Sequence, residues 1–99
     1  MEYNTLELYR DRIVLIETDQ QKHPGEPYVG KIFSYDENFI NLSSKNRVSQ
    51  EHKLQDSFHM VVQKVAKEQV PDKKTGFNLS IGVIASIKNI EYLVNQDKS

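Results

Sequence analysis

The chain of 99 residues contains no cysteine. That one absence removes disulfides, zinc-thiolate sites, iron–sulfur clusters and a cysteine nucleophile together. It also suits a cytoplasmic setting. Long apolar runs are missing too: the longest, Ile13 to Ile16, spans four residues, far short of a membrane crossing. The first residues are polar and acidic (Glu2, Asn4, Glu7), without the apolar stretch of a secretory signal. Four glycines are too few and too scattered for a phosphate-cradling loop. No Gly-x-Ser-x-Gly elbow or Cys–His pair points to nucleophilic catalysis, so a non-enzymatic protein without cofactor is expected. The net charge of −1 provides no global field to capture nucleic acid, so such a role needs a local patch or an assembly.

What is present fits one domain. The length accommodates one and not two. A hydrophobic share of 37% with 27% charged residues describes a globular chain. Asn4 followed by Glu7 resembles a capping box and predicts a short helix over Thr5 to Arg10. Arg12 to Thr18 reads as a strand whose Ile13-Val14-Leu15-Ile16 run is apolar on both faces. A loop spans Asp19 to Pro27, where His23 is expected to be exposed. Tyr28 to Tyr35 reads as a second strand with Gly30 as its bend point. Asp36-Glu37-Asn38 is a turn, and Phe39 to Ser44 is a third strand with Ile40 and Leu42 on one face.

Between Ser49 and Val70 the period changes. Leu54, Phe58, Val61 and Val65, with Val62 alongside, form a helical stripe, and Pro71 ends it. Phe58, Met60 and Val62 also alternate, which leaves a strand as the other reading. Pro71 to Gly76 is a charged turn containing Lys73 and Lys74. Phe77, Leu79 and Ile81 then share one face of a strand that Gly82 breaks. Ile84, Ala85 and Ile87 suggest a tight inward-packed turn, Ile87 to Val94 a last strand, and Asn95 to Ser99 a polar tail.

The order is short helix, three-strand meander, insertion, strand, tight turn, strand. It resembles the small Sm-like and SH3-like barrels. The finer likeness is to the Sm, LSm and Hfq family. Tyr28-Val29-Gly30-Lys31-Ile32-Phe33-Ser34-Tyr35-Asp36 keeps that family's spacing from glycine to aspartate, and Phe39-Ile40-Asn41-Leu42 resembles the close of its first motif. Asn41 lies five residues after Asp36 where the family has four, and Ile81 precedes Gly82 where the family has a basic residue. The resemblance implies a mainly β, five-stranded barrel over residues 5–44 and 77–94, with 49–70 as an insertion in a single domain. It also implies a homo-oligomer that binds single-stranded RNA.

The residues themselves leave choices open. Tyr35, Asp36, Asn38, Phe39 and Asn41 are the candidate RNA contacts, through stacking and hydrogen bonds to base edges. The plainer reading makes Asp36 and Asn38 turn formers and Phe39 a core residue. On a helix, His52, Asp56 and His59, with Gln63, share a face at a spacing that can ligate a divalent metal, but a solvated polar face is the default reading and no metal is expected. Open strand edges point to self-association. Two function classes emerge: an RNA-binding barrel, or a protein-interaction module whose partner surface lies on the 49–70 insertion. No membrane partner is expected.

Overall fold

Four consecutive branched aliphatics suit an extended segment only if both of its faces are covered. The computed structural model, which describes residues 3–43, 45–48, 56–68 and 76–95, covers both. The first strand, β1 (Ile13–Thr18), points Val14 and Ile16 into one apolar cluster and Ile13 and Leu15 into another. It pairs antiparallel with β2 (Tyr28–Tyr35), with Val14 opposite Gly30. β2 then changes partner. Its first half pairs with β1, and Ile32 to Tyr35 pair with β3 (Phe39–Leu42). The register shift lies between Ile32 and Ser34, beyond the expected bend point at Gly30.

A two-residue strand, β4 (Asn46–Arg47), pairs with Tyr28 and Val29 just before the insertion. It raises the number of strands among the described residues to six, one more than the resemblance implied. The insertion contributes α1 (Asp56–Ala66), which settles the choice between helix and strand for these residues. β5 (Phe77–Ser80) pairs with β3, and β6 (Ile84–Asn89) pairs with β1. The hydrogen-bonded order is β5-β3-β2-β1-β6, with β4 off this path. Among the described residues the protein is thus mainly β, with one α-helix and six antiparallel strands.

Two apolar layers result. The inner one gathers Leu6, Val14, Ile16, Tyr28, Ile32, Ile40, Leu42, Leu79, Ile81, Ile84 and Ile87. The outer one packs Val62 and Val65 of α1 against Ile13, Leu15, Val29, Val48 and Ile90. Within the expected helical stripe, Val62 and Val65 are fully buried and Val61 partly so, while Leu54 lies outside the described residues.

Three expectations need correction. The N-terminal helix is a 3-10 helix over Tyr3–Tyr9, so Asn4 lies within it rather than capping it. The tight turn is a 3-10 helix over Ile81–Val83, capped by the Ser80 hydroxyl, which accepts from the Gly82 N–H. The last strand therefore begins at Ile84, and Glu91–Asn95 is a further 3-10 helix. The misleading signal was the spacing of three between Ile84 and Ile87. Thr18 pairs with Ile84 and Glu17 with Ser86, so Ala85 is the extra residue of a β-bulge. The bulge puts both isoleucines on the inner side. After β6, the Asn89 carboxamide oxygen accepts from the Glu91 N–H and starts the final helical turn.

Candidate functional site

The turn between β2 and β3 is built by Asp36. Its Oδ1 accepts from the N–H groups of Asn38 at 2.7 Å and Phe39 at 2.8 Å, and its own N–H donates to the Phe39 carbonyl at 2.9 Å. The Asn38 N–H, then that of Phe39, hold this carboxyl below its ordinary value of 3.8. Asp36 is therefore a turn former and a fixed anion at once. Asn38 caps the same turn from its far side: its carbonyl accepts from the Ile81 N–H at 2.9 Å.

Strand alternation sets the direction of each β3 side chain. Ile40 and Leu42 face the inner core, so Phe39 and Asn41 face out. Phe39 is 47% exposed, which rules out the plainer reading of it as a core residue. Asn41 lies opposite Ser34 on β2 and Asn78 on β5, and its Nδ2 donates to the Asn78 Oδ1 at 3.0 Å. Tyr35 packs its ring on the inner core and donates its hydroxyl to the Glu7 carboxylate, tying the N-terminal 3-10 helix to this end of β2.

These side chains line a shallow cleft of about 140 Å³ formed by Ser34, Tyr35, Asp36, Phe39, Asn41 and Asn78. Four of the five residues singled out in the sequence meet there, and Asn38 lies beside it without lining it. Ser34 and Asn78 were missed. Both sit at outward positions of their strands, but only the pairing of β3 with β2 and β5 brings them to Asn41. The cleft offers a flat aromatic ring, two amides, a hydroxyl and a fixed carboxylate. That set suits a planar ligand bearing hydrogen-bonding edges.

A second cleft, of about 430 Å³, lies beneath the loop after β1 and is lined by Glu17, Thr18, Gln20, Gly25, Glu26 and Pro27. Its polar groups largely bond one another. The Gln20 amide bridges the Thr18 carbonyl and both backbone groups of Gly25, and the Thr18 hydroxyl donates to the His23 carbonyl. His23 is half-buried rather than exposed, its Nε2 lying 2.7 Å from the hydroxyl oxygen of fully buried Tyr28.

Of the metal candidates, His52 lies outside the described residues and the side chain of Asp56 is not described, while His59 sits half-buried on α1. Gln63 is bound to protein, donating to the Val94 carbonyl at 2.9 Å. Among the described residues no three His, Cys, Asp or Glu side chains are grouped to hold a metal ion. No helix among them is long and apolar enough to cross a membrane. No protein-family model, curated protein or solved structure matches the chain.

Proposed function

We propose that this protein is a non-enzymatic, Sm-like oligomeric barrel that binds single-stranded RNA in the cleft at the β2–β3 turn. The observation that carries the reading is the meeting of half-exposed Phe39, the Asn41–Asn78 amide pair and the Asp36 carboxylate in one cleft. A base stacks on Phe39 and pairs its edge with the amides. The Tyr35 hydroxyl is committed to Glu7, so Tyr35 shapes the cleft and Phe39 stacks.

Chain connectivity supports the barrel. β5 and β6 end the strand path, yet only the three residues Ile81–Val83 join them. Five flat strands would separate these ends by roughly 19 Å. Three residues of 3-10 helix rise only about 6 Å. A curled sheet resolves the mismatch. The Ile81–Val83 turn is bonded on both sides, from the Ile81 N–H to the Asn38 carbonyl and from the Asp19 N–H to the Val83 carbonyl. β5 and β6 also supply open edges for pairing between copies.

The test is mass measurement in solution with and without short RNA oligonucleotides, followed by titration. Stacking is worth about 1–3 kcal/mol per base, so Phe39→Ala weakens binding by roughly 5- to 150-fold, and Asn41→Ala weakens it as well. A monomer at every concentration would remove the oligomer, and wild-type protein indifferent to RNA would remove the ligand.

A second reading, a protein-interaction module acting through the insertion, is favoured by Met60 on α1, which is 67% exposed. It predicts that Met60→Glu abolishes partner binding or self-association while the fold persists. Val61 is a poorer probe, because it packs against the outer core.

A further inference from the structure

Resting on the RNA-binding reading, we infer that Lys45 and Arg47 form a phosphate-binding site that the Asp36–Asn41 cleft itself lacks. A strand seated by its bases in the cleft carries its backbone onto β4.

The cleft has the wrong charge for phosphate. Asp36 is held ionised, Glu37 is its neighbour, and the Glu7 carboxylate closes on Tyr35. Positive charge is concentrated elsewhere. Residues 45–75 carry seven Lys or Arg against four Asp or Glu, a net of +3; the rest of the chain carries six against ten, a net of −4. In the acidic part, Arg10, Arg12 and Lys88 are engaged by Glu7, Glu91 and Glu17 at 3.8, 2.8 and 3.5 Å. Among the described residues neither Lys45 nor Arg47 has a carboxylate partner.

Both cations stand on aromatic rings. The Arg47 guanidinium lies 4.3 Å from the centre of the Tyr28 ring, the Lys45 ammonium 5.3 Å from that of Phe77, and the two rings are 5.2 Å apart. Arg47 is also fixed from behind, with Nε donating to the Glu26 carbonyl at 2.7 Å and Nη2 to the Pro24 carbonyl at 3.3 Å. Carbonyls orient a guanidinium without neutralising it, and they occupy two of its five N–H groups, leaving three for an incoming oxyanion. The site combines an oriented guanidinium with an exposed ammonium.

The cleft and the cations lie on the two sides of β5, an end strand of the sheet. Asn78 lies opposite Asn41 and faces the cleft, whereas Phe77, the residue before it, pairs with Leu42 and packs on the inner cluster, with the Lys45 ammonium over its ring. A flexible ligand with planar edges at one end and an anionic backbone at the other reaches both by passing over the β5 edge. An acidic polypeptide would use the cations but not the cleft.

The experiment titrates the full chain with labelled ten-nucleotide single-stranded RNAs over a range of salt. For single strands the logarithm of the binding constant falls with the logarithm of salt by about 0.7 per phosphate neutralised. Lys45→Gln together with Arg47→Gln is expected to flatten that slope by about 1.4 and to weaken low-salt binding at least tenfold. Arg47→Lys, which keeps the charge, should restore its share. Asn41→Ala should weaken binding at every salt with the slope unchanged. Lys45 is exposed, so Lys45→Gln alone leaves the fold intact and still lowers the slope by about 0.7. RNA bound with an unaltered slope in the double variant would overturn the phosphate site and leave the cleft reading standing. No RNA binding by the wild type at any salt would sink both. Poly-glutamate displacing the RNA as well as unlabelled RNA does would reassign the cations to an acidic protein.

Discussion

The inner and outer apolar layers share β1 and β2 but are assembled differently. The inner layer takes side chains from every strand except β4, so it forms only when distant segments have paired. The outer layer depends on α1, an eleven-residue helix docked through Val62 and Val65. A helix of that length is marginal alone and owes its order to the face it buries. The same two strands thus support a layer that fails only with the whole fold and a layer able to open by itself.

The sharpest way to break this distinction is an inner-layer truncation. Ile32→Ala should cost about 2–5 kcal/mol and lower the whole urea transition without splitting it. A second transition in the variant would show the inner layer to be divisible. The matching outer-layer change, Val62→Ala, removes two buried methyl groups and should cost about 2 kcal/mol. Its signature is faster hydrogen exchange in α1 while the β1–β2 amides stay protected. Equal acceleration in both would merge the layers into one cooperative unit.

The loop after β1 tests how firmly the open end of the inner layer is closed. Gly25 has φ of 128°, and a Cβ there would overlap the Arg47 guanidinium. Gly25→Ala should cost about 1–3 kcal/mol through backbone strain and displacement of Arg47 from the Pro24 and Glu26 carbonyls. Retained Arg47 contacts, with a loss below that range, would show the loop to be pliable. The smallest effect belongs to the Asp36 turn. Its carboxyl is depressed in the folded protein, so its stabilisation is present above the ordinary carboxylate value of 3.8 and fades as the pH falls through the lower folded value. The melting-temperature gap between wild type and Asp36→Ala should accordingly close on acidification below about pH 4. A gap independent of pH would assign the turn's stability to something other than the charge.

Legibility in the sequence tracked the range of the interaction. The strands at Tyr28 to Tyr35 and Phe77 to Ser80 were readable because their β-rich composition and bounding turns are local features. The Asp36 turn was readable for the same reason: its bonds run two and three residues along the chain. The β6 boundary was not, because the bulge at Ala85 exists only against Glu17 and Thr18, far away in sequence. Asn78 escaped notice in the same way, since its role comes from lying opposite Asn41. Phe39 was open to two readings, core residue or stacking contact, because hydrophobicity says how much burial is worth and not which way a strand residue faces.

β1 buries Val14 and Ile16 on one side and Ile13 and Leu15 on the other. A slip of one residue would therefore exchange aliphatics for aliphatics, and polarity, the usual guard against such a shift, has little say over this strand. Its alignment must be enforced at its two ends. At the start, Asp11 adopts φ of 62° and its N–H donates to the Ile32 carbonyl at 2.7 Å. At the finish, the bulge at Ala85 sets Thr18 against Ile84. The most hydrophobic segment of the chain carries little information about its own position, and the polar residues that flank it act as the stops.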